Sequence, residues 1–200
     1  MKSVQDQLIA FCPNKERYFN PSSKILEKIF RKKCFVTEKI PCETEVCDGV
    51  LWITTHGVQY PGKTGYLLKV KKSSVHEQFD DCLYKNDENN TYYIPSSVLP
   101  TMFNVHKSVV ILDNCYSSEV AIDTLSSWKD NMIFTTGYIQ DYYNSTETGL
   151  IKTIEAAAEV LERERGIDFL SYRVLKENKD LVCDVLKEIN EKYKTQYNLF

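Results

Sequence analysis

The sequence predicts an α/β domain with a mostly parallel central sheet and helices on both faces of that sheet. Several segments are continuous runs of apolar and β-branched residues, which is typical of parallel strands that are buried on both faces. These runs alternate along the chain with segments whose apolar residues recur at helical spacing. No internal repeat and no low-complexity linker interrupts the 200 residues, so we predict a single domain over residues 1–200.

The apolar runs predict five strands of the sheet. Each contains a short stretch of large apolar residues and is bounded by polar or small residues. Their ranges are 8–12, 34–40, 49–55, 108–113 and 132–136. Residues 65–72 (GYLLKVKK) alternate in part between apolar and polar, which predicts a hairpin or an edge strand. The polar stretch 73–93 is predicted to be mostly loop.

Apolar spacing and capping residues predict four helices. Their ranges are 20–33, 95–103, 149–164 and 181–189. The first helix begins at Asn20-Pro21, because Pro is favoured at the first helical position. The second is short, and Ser96 or Ser97 is expected to cap it.

Charge and hydropathy exclude several classes of partner. The net charge is −3 at pH 7 and the pI is about 5.7, so there is no excess of positive charge for a nucleic acid. No apolar run approaches the about 18 residues that span a bilayer, and the first residues lack the pattern of a secretory signal peptide. We therefore expect a cytoplasmic protein without nucleic-acid or membrane partners, whose seven cysteines are mostly reduced.

The segment from Gly57 to Thr64 (GVQYPGKT) matches the phosphate-binding loop pattern GxxxxGK[ST] and follows a predicted strand. A later buried strand ends at Asp113, as does the strand that holds the metal-binding Asp of nucleotide hydrolases. A phosphate-binding loop runs into a helix, however, and this segment runs into residues that prefer a strand. Pro61 also lacks the N–H that such a loop directs at phosphate. A nucleotide hydrolase that uses these residues stays open as an alternative.

A histidine and a cysteine follow two of the predicted strands. If these strands are parallel neighbours, His56 and Cys115 emerge at the same edge of the sheet. The 59 positions between them (115 − 56) leave room for the crossover that parallel neighbours need. A histidine can act as the base that activates a thiol, and the backbone N–H groups of Gly57 and Cys115 could bind the resulting oxyanion. An inert core thiol and a structural histidine remain the simpler alternative.

Three segments, taken in order, carry a family resemblance. LWITTHGVQYPGKTGYLLKV is an apolar strand that runs into HGxQ and a hairpin. PSSVLPTMFNVHKSVVILDNCYSSE is a short helix and a buried strand that ends in DxC. IFTTGYIQDYYNSTETGLIKTIEAAAEVL is a strand, a loop with small and acidic residues, and a helix. In this order they resemble the bacterial caspase-like and metacaspase-like cysteine peptidases.

The resemblance implies the caspase–haemoglobinase fold and the hydrolysis of peptide bonds through a thioacyl-enzyme, with no cofactor and no metal. It makes Cys115 the nucleophile, His56 the general acid and base, and Gly57 with the Cys115 amide the oxyanion hole. The implied partners are a protein or peptide substrate and a regulatory protein. A place in a defence or cell-death pathway is also implied.

The resemblance further implies a pocket for the residue that precedes the scissile bond. Asp113, Asp141 and Thr136 are the expected substrate-binding residues. Two carboxylates in one pocket favour Arg or Lys through charge-assisted hydrogen bonds, so we predict a basic preference. Ser118 stands where many members have Gly, and it is expected to narrow the site.

Two other possibilities stay open. A catalytically degenerate binding module would keep the fold and lose the reaction. An acidic stretch could bind calcium, as in some members of the resembled family, although a solvated polar loop is the expected state. Its residues are Asp80, Asp81, Asp87 and Glu88.

Overall fold

The computed structural model of the chain describes residues 2–5, 7–13, 19–40, 44–59, 66–75, 77–86, 91–137, 142–143 and 147–200. The strands within these ranges are β1 (Lys2–Gln5), β2 (Leu8–Phe11), β3 (Cys34–Thr37), β4 (Thr44–Cys47), β5 (Val50–Thr54), β6 (His56–Gln59), β7 (Tyr66–Lys71), β8 (Tyr84–Asn86), β9 (Thr91–Pro95), β10 (Phe103–His106), β11 (Val109–Asp113), β12 (Met132–Thr135), β13 (Tyr142–Tyr143), β14 (Glu147–Thr148) and β15 (Asn198–Leu199). The α-helices are α1 (Phe19–Phe30), α2 (Leu99–Met102), α3 (Ser117–Thr124), α4 (Gly149–Arg165), α5 (Tyr172–Glu177) and α6 (Lys179–Tyr193). Short 3-10 turns cover Lys72–Ser74, Glu77–Cys82 and Ser96–Val98.

A six-stranded sheet with the order β15-β12-β11-β5-β2-β3 forms the centre of the fold. The strands β12, β11, β5, β2 and β3 run parallel, and β15 joins antiparallel at the edge beside β12. The chain leaves β2 toward β3 on one side and later returns to β5 on the other. A topological switch point therefore lies between β2 and β5. The predicted α/β class with a mostly parallel sheet is confirmed.

The two faces of this sheet are covered in different ways. On one face, alternate strand residues pack against α1, α4 and α6 in a single apolar cluster that includes Trp52. On the other face they pack against α2, α3 and the antiparallel sheet β6-β7-β9-β8. Helices therefore lie on both faces, as predicted, and on the second face they share the surface with an antiparallel sheet. In β7 the buried Leu68 and Val70 flank the half-buried Lys69, and this alternation makes a half-covered strand rather than a helix.

A small parallel sheet, β1-β4-β10, extends the central sheet at its amino end. Each of its strands precedes a central strand by two residues, in the same lateral order: β1 before β2, β4 before β5 and β10 before β11. The breaks contain Asp48 and Lys107 in the left-handed region, with φ of 52° and 46°. An L-residue there cannot continue a strand, so the extension pairs as a separate sheet. The sequence did not predict these three strands.

The longer predicted elements are confirmed, and a further error lies in residues 73–93. That stretch was predicted to be mostly loop, yet it contains β8 and the fully buried β9, whose residues TYYI are strand formers. No side-chain cap is made at the short helix that follows, because the Ser96 hydroxyl bonds Asp123 instead. Among the helices of the described ranges, none is sufficiently long and apolar to cross a bilayer.

Asn131 holds the amino ends of β11 and β12 together. Its side chain is 7% exposed, and its Oδ1 accepts from the Ser108 N–H at 2.9 Å. Its Nδ2 donates to the carbonyl oxygens of Val105 at 2.9 Å and Trp128 at 3.2 Å. Each of these contacts satisfies a backbone polar group near the end of a strand or helix, so the Asn131 side chain has a structural role.

We expect Asn131→Ala to lower the free energy of unfolding by about 2–4 kcal/mol, since it leaves buried backbone groups without their partner. Urea denaturation followed by circular dichroism measures the loss. Asp130→Ala, at the exposed neighbouring position, should stay within about 0.5 kcal/mol of the wild type. Equal stability of the two variants would contradict this structural role of Asn131.

Candidate active site

Most of the predicted functional residues lie at the carboxyl edge of the central sheet. His56 and Gly57 follow β5, Cys115 follows β11, and Thr136 follows β12. These three strands are adjacent and parallel, so their carboxyl ends meet at one edge. That edge is where α/β sheets bind ligands.

The register of β5 and β11 brings the histidine and the cysteine to the same level. Thr54 faces Asp113 in the ladder, and His56 and Cys115 each lie two positions beyond this pair (56 − 54 and 115 − 113). The β5–β6 turn is fixed by the Thr55 hydroxyl, which donates to the Lys69 carbonyl of β7 at 2.5 Å. His56 is exposed and Cys115 is partly exposed, so both are accessible to a ligand.

Gly57 packs directly against the backbone of Cys115. A Cβ built on Gly57 would lie 1.8 Å from the Cys115 carbonyl oxygen, 2.7 Å from its carbonyl carbon and 2.9 Å from Nδ2 of Asn114. A hydrogen atom is the largest group that fits there, so this position requires glycine. The two residues of the predicted oxyanion hole, Gly57 and Cys115, are thus brought together.

Asn114 lies beneath this contact and is fully buried. Its Nδ2 donates to the Cys115 carbonyl oxygen at 2.9 Å. Within the described part of the chain, its Oδ1 is buried and has no hydrogen-bond partner. One hydrogen bond contributes about 1 kcal/mol, and an unsatisfied buried acceptor costs about 1–3 kcal/mol. The amide therefore adds no net stability to the fold.

The chain turns sharply after Cys115 and enters α3. Tyr116 takes a left-handed conformation with φ 61° and ψ 22°, and α3 begins at the next residue. This conformation costs roughly 1–2 kcal/mol for a residue with a Cβ. The turn presents Cys115 between the end of β11 and the positive end of a helix, where a thiolate is stabilised.

The start of α3 is fastened to the residues after β12. The Tyr116 N–H donates to the Gly137 carbonyl at 2.9 Å, and the Ser118 N–H donates to the Thr136 carbonyl at 3.0 Å. The Ser117 hydroxyl donates to that same carbonyl at 3.0 Å and accepts from the Thr136 N–H at 2.8 Å. These bonds fix the far side of the cysteine loop.

Thr136 and Ser118 therefore have structural contacts that the sequence did not predict. Thr136 is 2% exposed and presents almost no surface to a substrate, so its predicted role in substrate binding stays a prediction. The Ser118 hydroxyl donates to the Thr136 carbonyl at 2.8 Å and accepts from Nδ2 of Asn198 at 3.1 Å. The sequence pattern that could have indicated these contacts is a run of small polar residues between a buried strand and the start of a helix.

The predicted pocket carboxylates are those of Asp113 and Asp141. Asp113 is fully buried, and its Oδ2 accepts from the Trp52 indole N–H at 3.2 Å. Its carboxylate thus lies beneath the sheet edge, and contact with a substrate stays a prediction. Asp141 lies outside the described residues.

The structural context of a phosphate-binding loop is not met. Gly57 lies in β6, which pairs antiparallel with β7. Among the described residues, Gly57 thus lies in a strand that pairs with a second strand, which is not the strand-to-helix context of a phosphate-binding loop. The predicted hairpin is confirmed. Pro61, Gly62 and Thr64 of the predicted loop lie outside the described residues.

No group of three or more His, Cys, Asp and Glu side chains that could hold a metal ion is found in the part of the chain that the structure describes. Of the acidic stretch considered for calcium, Asp80 lies 3.6 Å from the Lys85 ammonium. Asp87 and Glu88 lie outside the described residues. The calcium possibility therefore gains no support.

Two other thiols are held in the protonated form by their surroundings. Burial raises the pKa of Cys34 to about 12, and the nearby Glu27 and Cys12 add to the effect. Burial also raises the pKa of Cys183. Thiols held protonated in this way are poor nucleophiles at neutral pH. Cys82 is exposed.

Comparisons with family models, with curated proteins and with solved structures return no match.

We expect Gly57→Ala to distort the cysteine loop, because the new methyl group overlaps the Cys115 carbonyl. The free energy of unfolding should fall by about 1–3 kcal/mol, as for other overpacked sites. The rate at which iodoacetamide alkylates Cys115, followed by peptide mass spectrometry, should change as well.

Gly166→Ala is the matched control for this substitution. Gly166 has φ +67°, and nothing lies within 4 Å of its built Cβ. Its cost is about 1–2 kcal/mol of backbone strain, with Cys115 alkylation unchanged. Wild-type alkylation of Cys115 in Gly57→Ala would contradict the close contact.

The raised pKa of the Cys34 thiol predicts that the protein loses stability at alkaline pH. In the folded protein the pKa of the Cys34 thiol is about 12, whereas the ordinary pKa of a cysteine thiol is 9.0. The unfolded chain loses its proton first, so the stabilisation is complete below pH 9 and is lost as the pH rises toward 12. In urea denaturation, wild type should lose stability more steeply over this window than Cys34→Ser. Parallel curves would contradict the assignment, and Cys82→Ser is the exposed control.

Proposed function

We propose that the chain is a cysteine endopeptidase of the caspase–haemoglobinase fold, with Cys115 and His56 as its catalytic dyad. The observation that carries the proposal is the packing of Gly57 against Cys115 where the parallel strands β5 and β11 end. It supports the proposal because an exposed histidine and a partly exposed cysteine then lie on adjoining segments at the ligand-binding edge of the sheet. The confirmed α/β class with a mostly parallel sheet agrees with the fold that the sequence resemblance implies.

In the proposed reaction, His56 takes the proton of the Cys115 thiol, and the thiolate attacks the scissile carbonyl carbon. The oxyanion is bound by the N–H groups of Gly57 and Cys115. The His56 imidazolium then protonates the leaving amine, and a thioacyl-enzyme remains. A water molecule, deprotonated by His56, attacks the thioester and releases the carboxylic acid, and the thiol regains its proton.

The surroundings of Cys115 support such a nucleophile. The thiol lies two residues before the first turn of α3, whose partial positive charge favours an anion. The loop is fixed on the β5 side by Gly57 and on the β12 side by bonds to Thr136 and Gly137. A fixed loop keeps the thiol and its amide in one geometry, which reduces reorganisation during the reaction.

We further propose a basic residue before the scissile bond. The buried carboxylate of Asp113 lies two residues from the nucleophile, and Asp141 belongs to the same proposed pocket. Arg and Lys are the side chains that reach past a sheet edge and carry the complementary charge. A cytoplasmic location, a protein or peptide substrate and a regulatory protein partner complete the proposal.

A peptide-derived thiol-reactive probe that ends in Arg tests the dyad. Labelling should be abolished in Cys115→Ala and should slow by roughly 100-fold or more in His56→Ala, since a general base contributes about that much. Cys82→Ala, which removes an exposed thiol, should label like the wild type. Labelling that survives Cys115→Ala would overturn the assignment. A protein that binds a peptide without labelling or turnover would indicate a degenerate binding module.

A panel of peptides that differ in the residue before the scissile bond tests the preference. We expect kcat/KM for Arg and Lys to exceed that for Asp by more than roughly 100-fold, because like charges in one pocket cost several kcal/mol. Asp113→Asn and Asp141→Asn should each reduce this ratio. Cleavage after Asp in preference to Arg and Lys would contradict the proposed pocket.

A further inference from the structure

The amide of Asn114 is the buried polar group at the junction of the two proposed catalytic segments. Its Nδ2 donates to the Cys115 carbonyl at 2.9 Å, and a Cβ built on Gly57 would lie 2.9 Å from the same nitrogen. The amide therefore lies between the turn that follows β5 and the loop that follows β11. It contacts both segments on the side away from solvent.

Asn114 and Asn131 are both buried amides, but they are satisfied to different degrees. Asn131 uses its oxygen and its nitrogen and holds three backbone groups. Asn114 makes one hydrogen bond, and in the described part of the chain its oxygen makes none. A half-satisfied buried amide does not stabilise a fold. Departures from local optimality of this kind cluster at functional sites, where they hold a required geometry.

The hydrogen bond from Asn114 acts on the peptide plane that joins Cys115 to Tyr116. Because that peptide is planar, fixing its carbonyl oxygen fixes the rotation about the Cα–C bond of Cys115. The following residue is already held in a left-handed conformation, and its N–H is bound to Gly137. That N–H belongs to the same peptide, so Asn114 and Gly137 hold the plane from its two ends. Without the Asn114 bond the plane is held at its nitrogen alone, which gives Cys115 freedom to tilt relative to His56.

We infer that Asn114 is a positioning residue, which locks the Cys115 carbonyl against Gly57 and thereby directs the thiol toward His56. This inference depends on the proposed function. It concerns alignment of the dyad, and Asn114 does not itself contact the reacting atoms.

The test compares the pH profile of Cys115 alkylation by iodoacetamide in intact protein, measured by peptide mass spectrometry. The variants are Asn114→Ala, Asn114→Val, His56→Ala and Asn131→Ala. Val fills most of the space of the amide and carries no donor, so it keeps the test valid if the Ala variant does not fold. Melting temperature is measured in parallel.

We expect both Asn114 variants to react roughly tenfold more slowly than wild type at pH 7, with the profile moved to higher pH as in His56→Ala. Their melting temperatures should stay within about 2 °C of the wild type, whereas Asn131→Ala should lose roughly 5 °C or more. Asn131→Ala should nevertheless keep the wild-type profile, because its contacts lie at the opposite end of the strands.

The remaining outcomes distinguish failure of the positioning role of Asn114 from failure of the proposed dyad. If alkylation depends on His56 but both folded Asn114 variants behave like wild type, the inference is overturned and the dyad stands. If the wild-type profile does not change in His56→Ala, the proposed dyad is overturned, and the inference falls with it.

Discussion

The parallel pairing of β5 with β11 is the constraint on which the candidate site depends. The ladder runs from Val50 opposite Val109 to Thr54 opposite Asp113, and every residue in it is buried. Because side chains alternate between the faces of a sheet, a slip of one residue would exchange the two apolar layers. The burial of both layers thus fixes the register, and the register fixes where His56 and Cys115 leave the sheet.

The site itself is less relaxed than the sheet that supports it. Tyr116 takes a left-handed conformation, Asn114 keeps an unsatisfied oxygen, and Gly57 is pressed against a carbonyl group. Such features persist because the surrounding structure holds them in place. Here the surroundings are the buried strands below and the bonds between the start of α3 and the end of β12. The stability of the fold is therefore what permits a strained loop at its edge.

Sequence patterns predicted the parts of the fold in which one physical signal dominates. The strands β2, β5, β11 and β12 are continuous apolar runs, and α1, α4 and α6 have a clear apolar face, so each was identified. β9 was missed although its residues favour a strand and its partner β8 is close in the sequence, because the stretch around it is polar. The extension strands were missed because their pairing partners lie far away in the sequence. Local patterns do not report such pairings.

The site shows the same division between local and distant signals. His56 and Cys115 were chosen as candidates because each follows an apolar run, and Gly57 because a histidine precedes it. Asn114 and Ser117 were not identified, since their roles arise from contacts with Cys115 and Thr136 that exist only in the folded chain. The burial of Asp113 also could not be predicted, because its partner, the Trp52 indole, belongs to a neighbouring strand.

In the proposed reaction, Cys115 attacks a carbonyl group whose oxygen is held at the junction with Gly57. A crystal structure of the protein with an arginine-terminated peptide aldehyde is the direct test. We expect a covalent bond from Cys115 Sγ to the aldehyde carbon, with its oxygen about 3 Å from the backbone nitrogens of Gly57 and Cys115 and with His56 beside it. An adduct on another thiol such as Cys82, or an adduct on Cys115 whose oxygen lies away from Gly57, would contradict it.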